Sequence, residues 1–114
     1  MIAGPEVEVF AALGDPVRSG LVRTLASHGA MSTTALALPL AISRQAVDQH
    51  LRVLRLAGIV SSQRLGRETR HRLERSVLAA SSSWLESINR EWDMQLTLIK
   101  EEAERSKTEG ASRD

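Results

Sequence analysis

Two glutamines four residues apart carry the most distinctive chemistry in this sequence. Around them, apolar residues recur at intervals of three and four, which predicts a helix with one buried side. Gln45 and Gln49 lie outside this apolar stripe, so both project from the outer face of the predicted helix. Each amide offers a paired donor and acceptor, which is the arrangement that recognises the edge of a DNA base in the major groove. Arg44, beside them, can reach a guanine or a phosphate. The sequence therefore predicts a base-reading surface at the start of this helix.

Groups that suit phosphate oxygens surround the glutamine pair. Ser43 precedes the helix as its N-cap, and together with the first helical amides it can receive a phosphate oxygen, aided by the helix dipole. His50 has two interpretations, contact with a phosphate or packing at the helix edge, and the sequence favours neither. The remaining candidates are arginines on the outer face of the helix and in the segment that follows it: Arg52, Arg64, Arg67 and Arg70.

The distribution of charge agrees with a polyanion-binding surface. The whole chain of 114 residues has a formal net charge of +1. Residues 43–75 alone carry eight arginines against three acidic residues, a local charge of +5, and the rest of the chain is −4. A basic middle with acidic flanks is typical of a soluble protein that binds nucleic acid. The alternative is a solvated face with scattered arginines.

The elements that must position these side chains are predicted to be mainly α-helical, with one small β-hairpin. Helices separated by Gly14 and Gly29 precede a recognition helix over about 43–57, which Gly58 ends. A hairpin, or wing, follows over about 60–74, and in it His71 shares a face with Leu73 and is expected to be structural. Together these elements predict a winged helix-turn-helix. Val47, Leu51 and Leu54 would anchor its recognition helix, and Leu38 and Pro39, just before that helix, have no assigned role.

A last helix over about 77–105 is predicted to be longer than a small domain can cover. At 1.5 Å per residue it would extend about 45 Å. We expect it to form a homodimer together with the first helix, through the apolar residues Phe10, Trp84, Ile88, Trp92, Leu96 and Ile99. The two tryptophans have a second interpretation, as the lining of a ligand pocket between the two copies. The prediction is thus a single domain over 1–106 and a flexible tail over 107–114.

Composition argues against several other classes of protein. The absence of cysteine excludes disulfides, cysteine–zinc sites and thiol redox switches. The three histidines lack metal-binding spacing, and neither a Ser–His–Asp set nor a glycine-rich phosphate loop has supporting context. We therefore expect no enzyme, no metal and no cofactor. No apolar run approaches the roughly 18 residues of a membrane span, and no signal-peptide pattern opens the chain, so we expect a cytoplasmic protein without a membrane partner.

Three segments, in the correct order, resemble the ArsR-type winged-helix regulators. Residues 43–60, SRQAVDQHLRVLRLAGIV, resemble the recognition-helix signature of that family. Residues 12–18, ALGDPVR, resemble its opening, and residues 65–68, LGRE, resemble its wing tip. The match covers roughly residues 7–105, and it implies a homodimeric repressor that binds operator DNA. The chain lacks cysteine and has no histidine after His71, so the metal sensing of the best-known members is not expected.

Two other functions stay open beside regulation by sequence-specific binding. One is an architectural protein that binds DNA without sequence preference, and the other is a winged helix that binds protein. The outward Gln45 and Gln49 favour sequence reading, because a non-specific binder needs charge but not paired amides. The predicted partners are double-stranded DNA, a second copy of the chain, and an unidentified small-molecule or protein effector.

Overall fold

The first two described helices end next to the glycines that the sequence predicted as helix stops. A computed structural model describes residues 4–112. In chain order these residues form α1 (Pro5–Leu13), α2 (Pro16–His28), β1 (Met31–Ser32), α3 (Thr33–Ala37), α4 (Arg44–Leu56), β2 (Val60–Leu65), β3 (Glu68–Leu73) and α5 (Arg75–Ser112). The architecture is mainly helical with a small antiparallel sheet and a long final helix, which confirms the predicted winged helix-turn-helix. None of the described helices has the combination of length and apolar character that crossing a bilayer requires.

Side-chain caps fix where several of the described helices begin. Asp15, Ser32 and Ser43 each accept a backbone N–H from the first turn of α2, α3 and α4, respectively. Such a cap typically contributes about 1 kcal/mol to helix stability. α3 ends at Ala37, because Pro39 two residues later has no N–H for a helical hydrogen bond. The chain is therefore free to turn before α4 begins.

Packing of α4 depends on the apolar stripe that the sequence predicted. The core joins this stripe to residues of α1, α2, α3 and the start of β2, and its buried members are Val9, Ala12, Leu21, Leu25, Leu36, Val47, Leu51, Leu54, Ile59 and Val60. Gly58 allows the chain to leave α4 sharply, because its φ of +80° is disfavoured for other residues. A Cβ at Gly58 would also lie 3.2 Å from Cγ2 of Val77. Ile59, the next residue, is fully buried.

The sheet has the strand order β1–β3–β2, and all its pairs are antiparallel. Ser62 of β2 lies opposite His71 of β3, and Gln63 lies opposite Arg70. Because side chains alternate along a strand, the Ser62–His71 pair and the Gln63–Arg70 pair project from opposite faces of the sheet. His71 is buried and Arg70 is exposed, so the first pair is on the inner face.

The described chain divides into two compact units, and the division falls between Ser81 and Ser82, inside α5. In the first unit, Val77 and Leu78 at the start of α5 pack against the core. Ser81 is buried, and its hydroxyl donates to the carbonyl of Val77 at 2.9 Å. The second unit continues α5 as a helix with exposed apolar side chains, which are Trp84, Leu85, Ile88, Trp92, Met94, Leu96, Leu98 and Ile99.

α5 is longer than the sequence predicted. It begins at Arg75 and continues to Ser112, whereas the expected range was about 77–105. Residues 107–112 of the expected flexible tail are therefore helical, and residues 113 and 114 lie outside the described part of the chain. The residues after 99 are mostly good helix formers, and Glu101 and Arg105 have the favourable four-residue spacing. Gly110 costs about 1 kcal/mol, which is not enough to end such a helix.

Candidate nucleic-acid interface

An exposed ridge runs along α4 on the side away from the core. Gln45, Gln49 and Arg52 form it, because their spacing of four and three residues places them on one face. Arg44, also exposed, is the first residue of the helix. Ser43 is exposed as well, and its Oγ accepts the N–H of Ala46 at 3.1 Å. The structure therefore brings the predicted base-reading side chains together at the N-terminal half of one helix.

The two flanks of α4 contact different parts of the fold. On one flank, Nη1 of Arg55 donates to Oγ of Ser62 in the wing at 3.5 Å. On the other flank, Nδ1 of His50 lies 3.4 Å from Nη1 of Arg18, near the start of α2. The recognition helix is thus held laterally as well as by its buried stripe.

The contact at His50 belongs to a corner where α1 ends and α2 begins. Arg18 donates from Nε to the carbonyl of Ala12 at 2.7 Å and from Nη2 to the carbonyl of Ala11 at 3.5 Å. Asp15 accepts the N–H groups of Arg18 and Val17, which lower the pKa of its carboxyl against an opposing effect of desolvation. Oδ2 of Asp15 is also 3.8 Å from Nδ1 of His50.

This geometry restricts what His50 can do. A guanidinium only donates hydrogen bonds, so Nδ1 of His50 is the acceptor in its contact with Arg18. The ring therefore packs at the helix edge, as one of the two sequence interpretations expected. Contact of His50 with a DNA phosphate stays a prediction.

The wing arginines are exposed but do not share one face. By strand alternation, Arg64 projects from the inner face of the sheet and Arg70 from the outer face, while Arg67 lies in the turn between β2 and β3. Nε of Arg64 donates to the carbonyl of Gly66 at 3.2 Å. Nε of Arg70 is 3.5 Å from Oε2 of Glu68. The structure groups Arg64 and Arg67 near the hairpin tip, and DNA contact by all three stays a prediction.

His71 is buried in the first unit between β2 and α3. It is 1% exposed, and its two ring nitrogens are each 2.7 Å from a hydroxyl, Nε2 from Oγ1 of Thr33 and Nδ1 from Oγ of Ser62. Burial lowers the pKa of His71, the nearby charge of Arg55 lowers it further, and Asp48 opposes both. The imidazole is therefore neutral and structural in the folded protein near pH 7.

This burial predicts a loss of stability in mild acid. The unfolded chain binds a proton at His71 near the ordinary pKa of 6.5, whereas the folded chain binds it only at lower pH. Well above pH 6.5, titration of His71 does not change the free energy of unfolding. As the pH falls below 6.5, it lowers the free energy of unfolding by at most about 1.4 kcal/mol per pH unit. Urea unfolding across this range measures the slope. His71→Gln should remove this part of the decline, and the exposed His28→Gln should retain it; equal slopes in both variants would contradict the assignment.

The residues predicted for a dimer interface are placed in both units. Phe10, on α1 in the first unit, is half-buried. In the second unit, Trp84 is 38% exposed and Trp92 is 57% exposed. The remaining members are exposed at three- and four-residue steps from Trp92, so they share one side of α5 with it: Ile88, Leu96 and Ile99. Their participation in an interface stays a prediction.

The sequence predicted no functional role for Arg18 or Arg55. In the structure Arg18 contacts His50 and Arg55 contacts Ser62. Arg18 lies in the first turn of α2, three residues after Asp15, where an arginine can fold back over the preceding helix end. Arg55 follows Asp48 by two helical turns and so faces the same flank of α4. Leu38, which also had no role, is 83% exposed at the end of α3. Among residues 4–112, no group of three or more His, Asp or Glu side chains could hold a metal ion.

Known proteins similar to this chain are regulators of transcription. A family model described as a helix-turn-helix domain matches residues 13–63. The HTH-type transcriptional regulator Rv2034 of Mycobacterium tuberculosis is 37% identical over 86 residues, which are 75% of this chain and 77% of that protein. The structure of an ArsR-like transcriptional regulator from Rhodococcus sp. RHA1 is similar with a TM-score of 0.77 and 38% identity, over 85% of this chain and 91% of that one. The transcriptional repressor BigR from Xylella fastidiosa gives a TM-score of 0.57 and 31% identity, over 68% and 79% of the two chains.

Proposed function

We propose that this chain, which belongs to the ArsR-like family of winged helix-turn-helix transcriptional regulators, is a homodimeric repressor of a palindromic operator. Regulation of transcription through a helix-turn-helix DNA-binding domain follows from membership of the family, which implies a non-enzymatic role. The repressor role, the dimer and the symmetry of the operator are the proposed part.

The two glutamines of the exposed ridge, Gln45 and Gln49, carry the proposal. Both amides extend from a helix whose opposite side is fully buried through Leu51 and its neighbours, so the ridge can enter a groove without loss of the core. The side-chain amide of a glutamine can recognise adenine through N6 and N7. The adjacent Arg44 and Arg52 suit guanine or phosphate. An architectural protein or a protein-binding winged helix has no need of this combination.

Two further observations support a symmetric repressor. The second unit exposes large apolar side chains along one side of α5, and such a surface is suited to pairing with a second copy. In a dimer the two recognition helices would occupy successive major grooves about 34 Å apart, so the operator would be an imperfect palindrome. BigR, which is 31% identical, is described as a repressor. Binding would exclude RNA polymerase, and an unidentified small-molecule or protein effector would release the DNA by shifting the two helices.

Protection mapping on the DNA upstream of the chain's own coding sequence tests the proposal. A symmetric footprint with two half-sites is the expected result. Even protection without a boundary would instead identify an architectural protein. No protection there or on other DNA would favour the protein-binding alternative.

Gln45→Ala should weaken binding to the protected duplex by about 1–3 kcal/mol and relax specificity at one base position, because a bidentate contact to a base edge is lost. Binding to a mixed-sequence duplex should change little. Arg67→Ala is the matched control, since loss of a phosphate contact weakens binding to both duplexes and lowers the salt slope by about one. Titrations at several salt concentrations measure both effects. Equal losses on the two duplexes after Gln45→Ala would contradict base reading.

A further inference from the structure

A chain of hydrogen bonds connects the recognition helix to the wing and then to α3. It begins at Nη1 of Arg55, which is 3.5 Å from Oγ of Ser62. Ser62 Oγ is 2.7 Å from Nδ1 of His71, and Nε2 of His71 is 2.7 Å from Oγ1 of Thr33. We call these four residues the strap. Its members lie on α4, β2, β3 and α3, so it joins every element of the helix-turn-helix and the wing.

The chemistry of Arg55 fixes the donor in the first hydrogen bond of the strap. A guanidinium can only donate, so Ser62 Oγ accepts from Arg55 and has its own hydrogen available for Nδ1 of the neutral His71. When Ser62 donates this hydrogen to Nδ1, His71 carries its proton on Nε2 and donates a hydrogen bond to Oγ1 of Thr33. Each of the three hydrogen bonds can then have one donor and one acceptor, and His71 and Thr33 are buried at 1% and 3% exposure. His71 and Thr33 therefore anchor the strap in the protein interior, and its other end is the exposed guanidinium of Arg55.

Arg55 is the member of the strap that is available to DNA. It is exposed on the flank of α4 next to the wing, and Arg64 projects from the same inner face of the sheet as Ser62. Asp48 shares this flank of α4 and is the acidic group closest in sequence. An arginine held by a bond at one nitrogen loses less side-chain freedom on binding and still has further N–H groups to donate.

We propose that Arg55 donates to a phosphate of the DNA backbone in the angle between the recognition helix and the wing, and that the strap positions its guanidinium for that contact. Ser62 and His71 are positioning residues, since they act through Arg55 and do not themselves touch DNA. The inference rests on the proposed DNA-binding function and adds a contact that the base-reading ridge does not need.

A double-mutant cycle on DNA binding tests the inference. The probe is a mixed-sequence duplex of about 30 bp, long enough for two half-sites, titrated at several salt concentrations. Arg55→Gln should weaken binding and lower the salt slope by about one, because one phosphate contact is lost. Ser62→Ala should weaken binding about twofold to tenfold, through lost ordering of Arg55. In the Arg55→Gln background, Ser62→Ala should cause no further loss.

Two variants separate positioning from a merely structural effect. Ser62→Thr keeps a hydroxyl at the same strand position and should restore wild-type binding. Ser61→Ala is the matched control, because Ser61 Oγ also accepts from an arginine, Nε of Arg72 at 3.1 Å, but on the outer face of the sheet. It should leave binding unchanged, and thermal unfolding confirms that each variant is folded.

The outcomes distinguish this inference from the proposed function. Wild-type binding with an unchanged salt slope in Arg55→Gln would overturn the phosphate contact alone. Equal losses from Ser62→Ala in both backgrounds would overturn the positioning role. Absence of any duplex binding by the wild-type chain would overturn the proposed function itself, and the inference with it.

Discussion

Replacement of Leu51 by alanine is expected to lower the free energy of unfolding by about 2–5 kcal/mol. Leu51 is fully buried in the middle of α4, where it joins the recognition helix to the core. The substitution removes apolar contacts and leaves a cavity that the surrounding helices fill only in part. The loss is a large fraction of the 5–15 kcal/mol by which domains are typically stable.

Urea unfolding measures this effect, and the same helix offers a matched control. Leu56→Ala makes the identical change five residues later, at a side chain that is 75% exposed. It should alter stability by no more than about 0.5 kcal/mol. Similar costs for the two substitutions would show that Leu51 does not anchor α4 to the core. The base-reading proposal needs this anchor, because it leaves the opposite side of α4 exposed.

Replacement of Trp92 by alanine is expected to weaken the proposed dimer by at least about 2 kcal/mol, close to thirtyfold in Kd. Trp92 is 57% exposed within the second unit, at the middle of the apolar side of α5. Buried aromatic side chains near the centre of an interface commonly dominate its energy. Operator affinity should fall together with dimerisation, because a monomer contacts one half-site only.

Sedimentation equilibrium over a range of concentrations measures the dimer constant directly. Met94→Ala is the control, since Met94 is 66% exposed but lies two residues away, on nearly the opposite side of the helix. It should leave the dimer intact. A dimer unaffected by Trp92→Ala, or weakened equally by Met94→Ala, would show that the copies pair through another surface.

Several features of the fold were predictable because they depend on residues close together in sequence. The buried stripe of Val47, Leu51 and Leu54 and the exposed Gln45 and Gln49 both follow from helical periodicity. The caps of α2, α3 and α4 follow from the single residue before each of these helices, and the inward direction of a hairpin side chain follows from strand alternation. The end of α5 was not predictable in the same way, because no proline follows residue 105 and the one glycine there, Gly110, lies within the helix.

Periodicity and capping act over a few residues, so they are enough to predict the helix-turn-helix, its anchoring stripe and its exposed ridge. Which distant side chains meet depends instead on how remote segments pack together. His50 and Arg18 are 32 residues apart, and Thr33 and His71 are 38 apart. The second of these contacts depends on the pairing of β3 with β1, a strand of two residues that has no periodicity to reveal it. Local patterns therefore predicted the surface that we propose faces DNA, whereas packing between remote segments decided how that surface is held.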